Sequence, residues 1–137
     1  MKKLKDDNNC FVCGTDNPTG LRFKFEDNNE GVISRISFPE RFQGWEGIVH
    51  GGIISTAIDE VMVKAAAKER IRCVTAEINV RFKKPCYTGH KYVLSGKIVE
   101  NNNKILKAEG KITDSKNRTI AEGSGKLFVI KGDIAGK

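Results

Sequence analysis

One stretch of this 137-residue chain reads at helical period, and almost everything else reads at period two. Ile54, Ile58, Val61, Met62 and Ala65 recur at spacings of four, three, one and three, a single apolar stripe along one helix face. Ala57, Ala65, Ala66 and Ala67 keep that helix slim, and Lys68, Glu69 and Arg70 mark its wet end. Over its first three turns only Ser55, Thr56, Asp59, Glu60 and Lys64 interrupt the apolar character. A helix this poor in polar surface must be buried, and the elements available to bury it are strands.

Those strands flank it on both sides. Leu21, Phe23 and Phe25 alternate with Arg22, Lys24 and Glu26, and 32–38 returns after the turn at 27–31 as the second arm of a hairpin. After the helix, Val74, Ala76, Ile78, Val80 and Phe82 alternate with Thr75, Glu77, Asn79, Arg81 and Lys83, and Lys84-Pro85 closes that strand. Segments 92–99, 105–113 and 119–130 come next, separated by turns at Asn101-Asn102-Asn103 and 114–117. Ala121, Gly123 and Gly125 form a thin stripe on the last strand, against which something can pack closely. The expected order is two strands, one long helix and a four-segment antiparallel meander. This is an α+β chain whose sheet wraps around one central helix.

Length allows one domain, residues 1–137, with the segment 1–20 packed on it. No apolar run reaches a membrane span, and the basic then polar start, MKKLKDDNN, has no apolar stretch behind it, so no membrane partner is expected and the cytoplasm is the default. The net charge of +7 admits nucleic acid, a membrane surface or a phosphate-bearing ligand. Cys10 and Cys13 form C-x-x-C followed by Gly14, half of a zinc pattern. A second ligand pair is not apparent, because Cys73 and Cys86 are thirteen residues apart and the only histidines are His50 and His90. Zinc, a redox pair and two packed thiols all remain open for the motif.

Chemistry concentrates at the start of the helix. His50 stands directly before Gly51-Gly52, whose backbone N–H groups have no partner within the helix. Glycine lets a ligand approach those amides, and the helix dipole favours developing negative charge there. Asp59 is a carboxylate in the middle of an apolar helix, costly to bury unless paired or used. It lies about 10 Å along the axis from Gly52, too far to touch its own helix start. Two chains side by side, however, can set Asp59 of one against the Gly51 amide of the other. Glu60, about 100° further around, is expected to form an ordinary surface pair with Lys64.

The stretch GWEGIVHGGIISTAIDEVM resembles the signature of hotdog-fold acyl-CoA thioesterases, in the phenylacetate-degradation-type branch of the 4-hydroxybenzoyl-CoA thioesterase superfamily. In that branch a His-Gly-Gly precedes the central helix and the catalytic Asp follows the His by nine, as Asp59 follows His50. CFVCGTDNPTGL and VTAEINVRFKKPCYTGHKY are also similar to members of the family, so the resemblance covers nearly the whole chain. It implies hydrolysis of acyl-CoA to free acid and CoA, with the Gly51 amide polarising the carbonyl and His50 orienting the thioester or its loop. Asp59 of a neighbouring subunit would activate water or attack directly, and Thr75 would help position the water. Many members carry Asn six residues before the His, where this chain has Gly44 between Gln43 and Trp45. Gln43 then substitutes, or the carbonyl and water are held differently.

The resemblance further implies a homodimer or homotetramer and requires neither metal nor separate cofactor, since CoA is part of the substrate. An acyl tunnel is expected from Phe42, Trp45, Ile48, Ile54 and Met62, with Gly52, Gln43 and Trp45 touching substrate. Arg81, Lys83 and Lys84 at a strand end are candidate contacts for the CoA phosphates, or else edge charges that discourage aggregation. Three other readings compete. A non-catalytic acyl-CoA binder has no need of Asp59. A hydratase would need a His and carboxylate pattern that this chain lacks. A nucleic-acid binder lacks interleaved aromatic and basic residues on one strand, so no nucleic-acid partner is expected.

Overall fold

The computed structural model describes residues 4–130. The fold is built from β1 (Glu26–Asp27), β2 (Val32–Ile36), α1 (Gly51–Lys68), β3 (Cys73–Phe82), β4 (Tyr92–Asn101), β5 (Ile105–Asp114) and β6 (Thr119–Val129). The strands form one six-stranded antiparallel sheet of order β1-β2-β4-β5-β6-β3, curled around α1. The helical stripe is the core: Ile54, Ala57, Ile58, Val61, Met62, Ala65 and Ala66 are all buried. Against them pack Leu94, Leu106, Ile112 and Leu127, each fully buried on the inner face of the sheet.

The helix can lie this close because glycines line the part of the sheet beneath its middle. Gly96, Gly110 and Gly123 are consecutive cross-strand partners on β4, β5 and β6. A Cβ on Gly96 would stand 2.9 Å from the Val61 carbonyl oxygen, and one on Gly110 would stand 2.8 Å from Val61 Cγ1. Gly125, from the thin stripe expected on β6, lies under Met62. The helix ends in a Schellman motif, in which Ile71 N–H bonds the Ala66 carbonyl at 3.0 Å and Arg70 N–H the Ala67 carbonyl at 2.9 Å, with Arg70 at φ +61°.

Three sequence expectations need correction. Residues 21–25 do not ladder with β2; pairing is confined to Glu26–Asp27. Leu21 and Phe23 are still buried as the alternation requires, but their N–H groups bond the carbonyls of Phe11 and Val12 at 2.8 Å each. The N-terminal segment takes the place of the hairpin partner, and Arg22 at φ +57° breaks the strand there. The meander holds only for β4, β5 and β6. β3 pairs with β6 at the far edge, because α1 crosses the sheet between β2 and β3 and delivers the chain to the opposite side.

The third correction concerns the strand that carries Thr75. The clean alternation of 74–83 is broken by a bulge between Thr75 and Glu77. Thr75 pairs with buried Leu127, so it faces inward, and beyond the bulge Ile78 and Val80 face inward opposite Gly125 and Gly123. Val74 pairs with half-exposed Phe128 on the outer face. A bulge adds one residue, so the inward set changes from odd to even positions across it. Thr75 therefore joins the helix side rather than the polar side on which strict alternation places it.

Candidate active site

Two groups of residues meet α1 at different heights. At its start His50 is the N-cap residue, and its Nδ1 accepts a hydrogen bond from Gly52 N–H at 2.9 Å. A ring nitrogen that accepts carries no proton, so in the neutral ring Nε2 bears the hydrogen and is the donor left to act elsewhere. The His50 carbonyl takes the N–H groups of Ile53 and Ile54 at 2.9 and 3.2 Å. With Gly52 held by the imidazole, Gly51 N–H has no hydrogen-bond partner among the described residues. The ring of Phe82 closes one side, since a Cβ on Gly51 would touch it at 3.6 Å. Phe82 was not a sequence candidate for this site; at the end of an alternating strand it looks like any other core residue, yet it is 54% exposed.

The loop before the helix is built by Gln43. Its Oε1 accepts from Gly47 N–H at 3.0 Å, its backbone bridges Val49, and Gly47 takes φ +76°. This holds Trp45 out at 84% exposure. Gln43 thus shapes the loop, while Gly44 packs on His50, where a Cβ would make ordinary 3.5 Å contacts with its Cα and Cδ2. The expected tunnel is not enclosed by one chain. Ile54 and Met62 are core residues, Phe42 is buried between the Phe11 ring and the Arg41 guanidinium, Ile48 is half-buried, and Trp45 stands in solvent.

Further along α1, Asp59 is half-buried and Thr75 Oγ1 donates to its Oδ1 at 2.5 Å. The inward turn of Thr75 at the bulge makes this bond possible. Cys73, two residues earlier on the same inner face, is buried; burial and then the Asp59 charge push its thiol up to about 11. The sequence brings Asp59 and Thr75 forward separately, and the structure brings them together. No hydrogen bond links this pair to the His50–Gly51–Gly52 group within one chain.

Glu60 has a partner beyond the expected Lys64, whose ammonium still feels its charge. It accepts from Cys10 Sγ at 3.5 Å, and Lys64 extends to the Cys13 thiol and over the Phe25 ring at 5.8 Å. Burial, and after it the hydrogen bond and charge of Glu60, push the Cys13 thiol up to about 12.

The basic residues of the β3 end divide. Lys83 Nζ pairs with Glu122 at 2.8 Å, both half-exposed, and Arg81 is the cross-strand partner of the same carboxylate. Lys84 is exposed, with its N–H on the Ile120 carbonyl at 3.1 Å. A groove of about 1010 Å³ runs over the outer face of the sheet past Asn79, Arg81, Lys97, Lys111 and Glu122. Of the candidate residues only Arg81 lines it, so it is a surface trough and not the site.

The family model of the thioesterase superfamily matches residues 46–121, a span that holds the helix start, Asp59 and Thr75. The chain belongs to that superfamily. A Saccharolobus solfataricus protein named as a candidate esterase is 26% identical over 108 residues, covering 77% of this chain and 76% of that protein. The Escherichia coli PaaI protein of the phenylacetic acid degradation operon has the same fold, with TM-score 0.76 and 17% identity over 82% of this chain and 83% of its own. So does a Streptococcus pneumoniae thioesterase-class protein solved with coenzyme A, with TM-score 0.74 and 17% identity over 79% and 85% of the two chains. The pneumococcal protein has also been solved as two variants, one with an aspartate and one with a threonine sixteen positions further on replaced by alanine. Superfamily membership supports thioester hydrolysis as the general class of reaction. Among the described residues no helix is long and apolar enough to cross a membrane.

Proposed function

We propose that this protein hydrolyses acyl-CoA thioesters, with Asp59 and Thr75 of one subunit facing the Gly51 amide of another. The observation that carries the reading is the Thr75–Asp59 hydrogen bond across sixteen residues, the spacing of the aspartate and threonine altered in the pneumococcal variants. Thr75 fixes one carboxylate oxygen and leaves the other to take a proton from water. That water attacks the thioester carbonyl carbon. The Gly51 N–H, at the positive end of α1, stabilises the oxyanion, and His50 fixes the amide by capping Gly52. Collapse breaks the C–S bond, and the CoA thiolate leaves with the proton, giving acid and CoA. Direct attack by Asp59 on the same carbon gives the same products through an anhydride. A single turnover in ¹⁸O-water labels only the acid in the first case, whereas label in the Asp59 carboxylate marks an anhydride opened by water at the Asp59 carbonyl.

The need for two chains rests on geometry. Seven residues separate Gly52 from Asp59, about 10 Å along the axis, so one chain cannot aim both groups at one carbonyl. β3 is a ten-residue edge strand with no neighbour on its outer side among the described residues and with half-exposed Phe82 at its end. Two copies pairing about a two-fold along such an edge cover it and set the Asp59–Thr75 pair of each against the helix start of the other. A homodimer is the smallest competent unit, and a homotetramer is a pair of these. Arg81, Lys83 and Lys84 make a cationic strand end for the CoA phosphates, and Trp45 is free to cover the acyl group from its Gln43-braced loop.

The test is a panel of short, long and aromatic acyl-CoA substrates, followed by release of the CoA thiol. Turnover of at least one class, lost in Asp59→Ala, is expected. Binding of every class with no thiol release would favour an acyl-CoA-binding protein instead.

A further inference from the structure

The C-x-x-C motif is the one sequence feature that the proposed hydrolysis leaves without a purpose, and the structure gives it a third partner. We propose that Cys10, Cys13 and Glu60 form a zinc-class metal site that fastens the N-terminal segment to the middle of α1. The donor atoms of these three residues lie within 4.8 Å of one another, and Cys10 Sγ is 3.5 Å from Glu60 Oε2. A tetrahedral zinc with about 2.3 Å bonds to sulfur and about 2.1 Å to oxygen sets its ligands roughly 3.6–3.8 Å apart. The cluster is therefore at or within about 1 Å of the required spacing, a shift that side-chain rotation supplies.

The backbone around the thiols is shaped for this. Gly14 N–H bonds the Cys10 carbonyl at 2.9 Å, and Val12 N–H points at Cys10 Sγ at 3.4 Å. This tight turn swings both sulfurs to one side. It admits only glycine after Cys13, since a Cβ on Gly14 would lie 2.4 Å from the Cys10 nitrogen. An amide aimed at a ligating sulfur stabilises its thiolate, the usual role of the shell around a metal. The turn is also held rigidly: Val12 is buried, and Phe11 and Val12 take the N–H groups of Leu21 and Phe23. The third ligand comes from the core helix, fifty residues along the chain, which is why counting cysteines and histidines does not find it.

Charge and ligand type agree. Two thiolates and a carboxylate around a divalent ion leave one net negative charge, and the Lys64 ammonium beside Cys13 balances it. Soft sulfur donors with one oxygen favour zinc over magnesium or calcium. Cys13 and Lys64 also line a cleft of about 450 Å³ with Phe23, Phe25 and Lys68, wide enough to admit a water to the fourth position. Neither Asp59 nor Thr75 is a ligand, so the site is independent of the hydrolytic reading.

The test uses the full chain, reduced, stripped with chelator and titrated with Co(II), then with Zn(II). One Co(II) per chain is expected, with the strong visible absorption of tetrahedral cobalt and a thiolate charge-transfer band, both removed by Zn(II). Zinc is expected to raise Tm. Cys10→Ser and Cys13→Ser should abolish the charge-transfer band, and Glu60→Gln should weaken binding at least about tenfold. Cys73→Ser and Cys86→Ser should leave the spectrum as it is. An octahedral spectrum without a charge-transfer band would overturn the proposal. So would a spectrum indifferent to Glu60→Gln, or a Cys10–Cys13 disulfide that forms in the presence of zinc. If a cysteine variant fails to fold, the wild-type spectrum and Glu60→Gln still decide the matter.

Discussion

Asp59 and Glu60 are consecutive carboxylates on one helix, and they meet different partners. A step of about 100° around α1 turns Asp59 toward β3, where a hydroxyl holds one oxygen at 2.5 Å beside buried Cys73. The same step turns Glu60 toward the N-terminal turn, where it receives a thiol. Neither carboxylate forms an ion pair within 4 Å among the described residues, although the Glu60 charge still acts on Lys64. What separates them is the element each meets: a bulged strand at the edge of the sheet, or the N-terminal segment folded back on the helix. A half-buried carboxylate on an apolar helix is thus a sign that something is held, and its face says what.

That contrast can be broken at several points. The largest effect is expected from Asp59→Ala, which should lower kcat by about a hundredfold or more while far-ultraviolet circular dichroism stays unchanged. A loss of only a few-fold would move Asp59 into the structural class with its neighbour. Gly51→Pro comes next. Proline is well suited to the first helical position, and His50 at φ −60°, ψ 134° suits the residue before it, so this change removes little besides one N–H. Steady-state kinetics should show a loss of about 10²–10³ in kcat, with Gly51→Ala, which keeps the amide, far closer to wild type.

Smaller effects sharpen the comparison. A hydrogen bond to a charged group contributes about 1.5–3 kcal/mol, so Thr75→Ala should lower kcat by about tenfold or more and Thr75→Ser should restore most of it. Equal losses in the two variants would show that the methyl, and not the hydroxyl, matters. Glu60→Gln should reduce turnover far less than Asp59→Ala. Its expected signature is faster proteolysis near residues 8–20 and a loss of roughly 1 kcal/mol in urea denaturation. A large kinetic effect with no change in proteolysis would reverse the assignment of the two carboxylates.

Much of this arrangement is legible in the chain itself. The apolar stripe from Ile54 to Ala65 locates the buried helix, and the alternations locate five of the six strands. The His50–Gly51–Gly52 start and Asp59 are visible because glycines and a carboxylate are out of place where they stand. Hidden from sequence is whatever depends on long-range pairing. The bulge at Thr75 leaves no compositional mark, so strict alternation puts that hydroxyl on the wrong face. The position of β3 beside β6 depends on the path of α1 across the sheet, not on the residues of β3. Glu60 looks like half of an i,i+4 pair with Lys64 because that partner is four residues away, whereas Cys10 is fifty. Gln43 looks like a stand-in for a missing side chain, yet its amide oxygen is committed to Gly47.

Mixing two inactive variants tests the shared site most directly. Gly51→Pro and Asp59→Ala chains, unfolded together and refolded, form hybrid dimers in which one of the two sites has both an intact amide and an intact carboxylate. With random pairing, half the dimers are hybrids, and activity should recover to about a quarter of wild type. Each variant refolded alone should stay inactive. No recovery in the mixture, with hybrid dimers confirmed by mass, would show that one chain carries the whole site and would contradict the shared geometry.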